Sequence, residues 1–403
     1  MARPLEGIKV VEVAMWAFVP ACGGILSDLG AEVIKVEPPS GDPLRGLDIG
    51  ELGGRKRVDL SWESYNRGKR SITLDLKQEA GRAVLMKLAE DADVFLTNLL
   101  PPARRAMGID AETIRARFPD IIYASGSATG PHGPDSAKGG YDAITFWARG
   151  GISSSVTSDG DAAPVGPPGP AFGDTLSGSM LAGAICAALT RRALHGEASV
   201  VDVSLLGTAM WSMQRFIAQA TMDGVQRFPR PKDRVPYNVL SYTYRTADDR
   251  FVALCMLQAD KYWPRFCEVA GRPDLAADPR FADAAARRDN ARACFDEVAA
   301  LFASKPLAEW RAILARQDGQ WDVVQDVGEI QDDVQARANH LLQTVDYGDG
   351  TTIPLVAVPM MFDGQAMPAR RSPELGDSSE AILASLGYDE EAIIDLKVQG
   401  VVF

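Results

Sequence analysis

The feature that most restricts this chain is the alternation of short β-rich runs with helix-length segments through its first half. Gly7–Val13 (GIKVVEV) reads as a strand, and Pro20–Leu29 as a helix entered through a tight turn. Ala31–Glu37 (AEVIKVE) is a second strand, stopped by Pro38 and Pro39. Ser71–Leu76, Val94–Asn98 and Ile121–Ser125 continue the series, with helical spacing at Gln78–Asp91 and Ala111–Arg117 between them. Strands separated by helices of this length predict an α/β fold of βαβ units, with a mostly parallel sheet covered on both faces.

The plainest helix is Asp174–Arg192, whose apolar residues Leu176, Met180/Leu181, Ile185 and Ala188/Leu189 fall near the 3.6-residue period. Gly178, Gly183, Ala184 and Ala187 on it would admit a neighbouring backbone, and Val200–Leu206 returns as a strand. The character changes after Phe228. Arg230–Pro236 reads as a linker, followed by a hairpin across the turn Thr246–Arg250 and helical patterns at Asp260–Val269, Ala291–Phe302 and Pro306–Gln317. The tail from about Val323 holds another hairpin signal around Gly348-Asp349-Gly350 and two short helices, one opened by the capping pattern Asp377-Ser-Ser-Glu380. At 403 residues the chain exceeds one ordinary core, so two domains are expected.

Hydrophobic residues at 46% and charged ones at 24% are the balance of a soluble globular chain. A formal charge of -12 argues against nucleic acid or an anionic membrane as the main partner. The apolar run Val13–Ser27 follows Arg3 and Lys9 as a signal peptide would. Glu12, Pro20, Gly23 and Gly24 interrupt it, and it is too short to span a bilayer, so it reads as folded structure. Cys22, Cys186, Cys255, Cys267 and Cys294 form no CxxC pair and suit reduced thiols in a cytoplasm.

Most catalytic signatures are missing. There is no phosphate loop, no GxGxxG fingerprint and no GxSxG elbow. His132, His195 and His340 lack metal-ligand spacing, so no metal is expected. Asp174 is the best carboxylate, standing after the turn-rich 166–173 where a helix begins. An aspartate there is ordinarily an N-cap that binds backbone N–H groups. The same helix end would also keep it ionised and fit for nucleophilic attack. Arg55-Lys56-Arg57, Arg67/Lys69/Arg70 and Arg104-Arg105 form a basic group in an acidic protein, either solvated surface charge or a phosphate-binding rim.

Several phrases in order resemble the class III CoA transferases, the CaiB/BaiF family. They include PLEGIKVVEV (4–13), LSDLGAEVIKVEPPSGDPLR (26–45), NRGKRSITLDLK (66–77), ADVFLTNLLPPARRAMGID (92–110) and KGGYDAITFWARGG (138–151). The Asp174 helix, EASVVDVSLL (197–206) and segments near 246–281 and the C-terminus complete a colinear match over nearly the whole chain. The resemblance implies a Rossmann-like large domain (1–225 with 326–403), a small α+β domain (226–325) and an interlocked homodimer. It makes Asp174 the covalent nucleophile, with acyl-CoA and a carboxylic acid as substrates and no permanently bound cofactor. It places CoA contacts at Ala17, Phe18, Leu74 to Lys77, Asn98, Leu99 and Leu100, and near Lys138.

Three departures stand out. The first turn carries Phe18-Val19-Pro20 where Ala-Gly-Pro is usual, Ala106 replaces a common arginine beside Arg104 and Arg105, and no glycine-rich flap stands around 228–240. The family also contains α-methylacyl-CoA racemases that share the aspartate and pair it with a histidine. Here that place holds Tyr141, a poor base at neutral pH, which favours transfer. A CoA-binding protein without catalysis is the third reading. Phe146 and Trp147 suit either a bulky acyl group or ordinary core.

Overall fold

The structure, a computed structural model, describes residues 3–47 and 58–403. It divides into two compact units, Met1–Pro229 with Val334–Phe403, and Arg230–Asp333.

The first unit is built on a six-stranded sheet in the order β3-β2-β1-β4-β5-β6. Its strands are β1 (Lys9–Val13), β2 (Glu32–Glu37), β3 (Arg70–Thr73), β4 (Val94–Thr97), β5 (Ile122–Ser127) and β6 (Val200–Ser204), and every pairing is parallel. The crossovers are α1 (Phe18–Asp28), α2 (Leu60–Asn66), α3 (Glu79–Glu90), α4 (Pro101–Met107) and α5 (Ala111–Arg117). A π-helical segment (Asp142–Arg149), α6 (Ile152–Val156) and the long α7 (Phe172–His195) precede β6; α8 (Leu205–Ser212) and α9 (Gln214–Asp223) follow it.

The period-2 alternation of each strand divides the core in two. Val10, Val94, Leu96, Ile122 and Ala124 join α1 and α7 on one face. Val11, Val13, Phe95, Ile121 and Tyr123 pack with Val84, Leu85, Ile114, Ile382, Leu383 and Leu396 on the other. The chain's end thus returns to the same sheet, and Phe403 exchanges hydrogen bonds with Thr73 Oγ1 at 2.8 Å in both directions. By length and composition alone α7 could cross a membrane. Here it buries Leu181, Ala182, Ile185 and Ala188 in the sheet's core. Of the two glycines expected to admit a neighbouring backbone, Gly178 does so, since a Cβ there would stand 2.8 Å from Ala21 Cβ, whereas Gly183 faces open space.

The proposed capping box at Asp377 does not form. The Asp377 carboxylate accepts from Glu374 N–H and the Ser378 hydroxyl, and the helix Ser379–Ser385 starts on Ser378 without a side-chain cap. The tail hairpin pairs β10 (Leu342–Asp346) with β11 (Thr352–Val356), after a second unit holding the antiparallel sheet β7 (Thr243–Arg245), β8 (Phe251–Leu254) and β9 (Trp321–Val323). That sheet closes over an aromatic core in which Tyr244 stacks on Phe302 at 4.9 Å.

Candidate active site

From β1 the chain winds outward one way to β2 and β3, and from β4 the other way to β5 and β6. Crossovers diverging from β1 and β4 leave a crevice beyond their carboxyl ends, where open parallel sheets take ligands. A cavity of about 240 Å³ occupies it. Met15, Trp16 and Phe18 enter from the β1–α1 turn, Asn98 to Pro101 and Arg104 from the β4–α4 turn, and Gly126 to Ala128 from the end of β5. Ser136, Lys138 to Tyr141, Leu205 and Asp174 complete the lining.

Asp174 is not the N-cap. That position is Ala171, in the left-handed region at φ 54° and without a side-chain cap. Asp142, thirty-odd residues upstream, caps the helix instead: its Oδ2 accepts Gly173 N–H at 3.0 Å, and the N–H groups of Phe172 and Asp174 also reach it. Gly173 is required for this approach, since a Cβ would stand 2.2 Å from Phe146 Cγ and 2.6 Å from Asp142 Oδ1. The Asp174 carboxylate is therefore left with no hydrogen-bond donor among the described residues. Burial, helped by the nearby Asp142 charge, lifts its pKa to about 7. The expectation that the helix end keeps Asp174 ionised is corrected on the same ground, because Asp142 has taken the helix's free N–H groups. Tyr65 of α2, not singled out by sequence, shares a hydrogen bond with Thr175 and lies near both carboxylates; burial raises its phenol.

The β1–α1 turn rests on a buried ionic cluster. Glu12, Lys35 and Lys69 have fully buried side chains, with Lys35 2.9 Å from Asp42 and Lys69 2.8 Å from Glu12. Lys35 also donates to Ala14 O at 2.8 Å, and Lys69 to Pro20 O at 2.9 Å. Asn98 binds the turn from β4, accepting Met15 N–H at 3.0 Å and donating to Met15 O at 2.6 Å. Its amide is thus spent on the turn, although Asn98 lines the cavity.

The structure gathers Phe18, Asn98, Leu99, Leu100, Arg104, Lys138 and Asp174 around one cavity, and leaves four other candidates outside its lining. Ala17 is buried as the N-cap of α1. Leu74 belongs to the core, packed with Ile72 and Val84. Lys77 is exposed beyond β3, and Arg105 on α4 faces solvent. The basic group divides: Arg104 lines the cavity, and other members are spent elsewhere. Lys69 is consumed by Glu12, Arg67 pairs with buried Asp28 at 2.8 Å, and Arg70 pairs with Glu32. Arg55, Lys56 and Arg57 lie outside the described residues. Phe146 and Trp147 are core, with the Trp147 indole donating to Val165 O at 2.7 Å. Trp16 was missed; its sole sequence signal was its place just past a strand end.

Parallel sheet, strand-end crevice and a carboxylate without hydrogen-bond donors among the described residues define an α/β protein with a cavity where the crossovers diverge. Residues 5–379 match CoA-transferase family III. The chain belongs to that family. The (R)-2-hydroxy-4-methylpentanoate CoA-transferase of Clostridioides difficile is 33% identical over 405 residues, covering 99% of each chain. The cinnamoyl-CoA:phenyllactate CoA-transferase of Clostridium sporogenes is 32% identical, covering 97% of this chain and 95% of the relative. The crystal structure of a CAIB/BAIF family protein from Brucella suis matches with a TM-score of 0.81 at 29% identity, over 96% of this chain and 100% of that one.

Proposed function

We propose that the protein moves CoA from an acyl-CoA donor to a free carboxylic acid, with Asp174 as the covalent relay. The observation that carries this reading is the Asp174 carboxylate at the edge of the strand-end cavity, free of donors among the described residues. A carboxylate with a raised pKa is a stronger nucleophile once ionised, and no hydrogen bond need be broken before it attacks.

In the first step an Asp174 oxygen attacks the thioester carbonyl carbon, the C–S bond breaks, and CoA leaves as thiolate. The product is a mixed anhydride. The thiolate then attacks the aspartyl carbonyl, expelling the donor acid as carboxylate and leaving an aspartyl-CoA thioester. The acceptor carboxylate attacks that carbonyl, re-forming an anhydride and releasing thiolate. Attack of the thiolate on the acceptor's acyl carbon yields the new acyl-CoA and frees Asp174. Arg104 and Lys138 supply positive charge along the cavity for the CoA phosphates. An obligate homodimer belongs to the same proposal, supported by α9, which buries none of its residues, and by the exposed Trp211, Phe216 and Met222.

Transfer is favoured over racemisation because Tyr141 stands at the cavity in the place where the family's racemases keep a histidine to serve the opposite face of an α-carbon. A chiral 2-methylacyl-CoA in deuterated water with a labelled free acid tests the choice. CoA on the labelled acid without α-deuterium is the expected result. Rapid α-deuterium uptake with no transfer would contradict it.

A further inference from the structure

Trp16 is held in a conformation that large side chains avoid. Its φ of 68° lies in the left-handed region, where a bulky residue survives only if its surroundings impose it. The imposition is visible residue by residue. Asp42 Oδ1 accepts the Trp16 N–H at 3.0 Å, and its other oxygen is ion-paired with Lys35, whose side chain is fully buried. Lys35 fixes the preceding carbonyl of Ala14, and Asn98 fixes both backbone groups of Met15. Three consecutive residues are thus tied down by partners from β2, the loop after β2, and the β4–α4 turn.

What this arrangement aims is the indole. It lines the same cavity as Asp174 and meets Tyr141 edge to face, with centroids 5.6 Å apart and an interplanar angle of 88°. Its N–H has no partner among the described residues. Neither ring is needed for packing the core, since Tyr141 is largely exposed and Trp16 half-buried. A strained backbone, a buried ionic brace and a rigid aromatic wall beside the reactive carboxylate have a common use, which is discrimination of what lies against the wall.

We propose that Trp16 is the specificity-determining residue of this site: its indole, braced by Tyr141, is the surface on which a bulky apolar acyl side chain packs, and Asp42 is the positioning residue that holds it there. This rests on the CoA-transfer reading, in which the acyl carbon must come to Asp174. A large apolar side chain then gains contact area that a small acid lacks, while the carboxyl chemistry is common to both.

The test compares acyl groups with one reactive end and different side chains. Acylation of the protein by 3-phenylpropanoyl-CoA and by acetyl-CoA is timed by hydroxylamine trapping, for the unaltered chain, Trp16→Ala, Trp16→Phe and Asp42→Asn. The unaltered protein should prefer the aromatic acyl group. That preference should fall about 30-fold in Trp16→Ala and only about threefold in Trp16→Phe, which keeps an aromatic wall. Asp42→Asn should lower it between these limits. A ratio measured within one preparation does not depend on the folded fraction, so loss of stability cannot imitate the result. Equal losses for both acyl groups, or an initial preference for acetyl-CoA, would overturn the inference while leaving CoA transfer standing. Absence of acylation from both donors in the unaltered protein would bring down the CoA-transfer reading, and this inference with it.

Discussion

Glu12 and Asp174 are carboxylates serving one crevice, and their surroundings give them opposite characters. Glu12 lies under the β1–α1 turn, fully buried, with Lys35 at 3.1 Å and Lys69 at 2.8 Å. Asp174 stands at the cavity with no donor among the described residues, and the neighbouring Asp142 repels its charge. A carboxylate that is matched by cations becomes framework. One that is denied partners becomes a reagent, held at a cost to stability. Lys69 is itself strained by this service: burial lowers it to about 8 despite Glu12, whereas Lys35 is held up by Glu12 and Asp42 against the same burial.

Exchanging either residue for alanine should separate the two characters. Asp174→Ala should remain folded and lose transfer by roughly three powers of ten or more, the effect of removing a nucleophile. Glu12→Ala should unfold about 3–5 kcal/mol more easily in urea, because two buried ammonium groups would lose their shared partner. A Glu12→Ala protein with unaltered stability would break the comparison from one side, and an active Asp174→Ala protein from the other.

A smaller effect sharpens it. Burial pushes the Asp174 carboxyl up to about 7 in the folded chain, well above the ordinary carboxylate range of about 4, so the folded state keeps a proton that the unfolded state has lost between those pH values. Stability must therefore fall as pH rises from about 4 to 7, the reverse of the usual paired carboxylate. Asp174→Asn should be more stable than the unaltered protein at pH 8, by on the order of 2–4 kcal/mol, with the gap closing below about pH 4. Thermal unfolding across this range checks the sign. A gap that is constant with pH would mean that Asp174 is not charged at a cost.

The smallest effect concerns Asp142. The groups facing Asp174 are Asp142 and Tyr65, with Arg104 and Lys138 elsewhere around the cavity. Asp142→Asn keeps an acceptor for the helix N–H groups and removes the charge. The pH midpoint of kcat/KM, expected near 7 for the unaltered protein if it follows the Asp174 carboxyl, should drop by about one unit. An unmoved midpoint would assign the shift to burial alone.

The strand series was legible because β1 to β6 follow runs of buried, β-branched residues whose period survives in the primary structure. The helix carrying Asp174 was legible for the same reason. Its capping was not, since the cap comes from Asp142 in a separate segment and no local pattern announces it. Which members of the basic group reach the cavity was not legible, because Lys69 and Arg67 look alike in sequence whether solvated or buried. Only the fold brings Glu12 and Asp28 against them. Trp16 was illegible as a site residue because its strained conformation is imposed by Asp42 and Asn98, both distant along the chain.

Covalent acylation of Asp174 is the step on which the proposed transfer depends. Incubating the protein with acyl-CoA, quenching with hydroxylamine and mapping peptides by mass spectrometry tests it directly. A hydroxamate on Asp174, formed only when acyl-CoA is present and missing from Asp174→Ala, is the result predicted here. Transfer that proceeds at full rate with Asp174 unmodified, or a hydroxamate placed on Asp142 instead, would contradict the account.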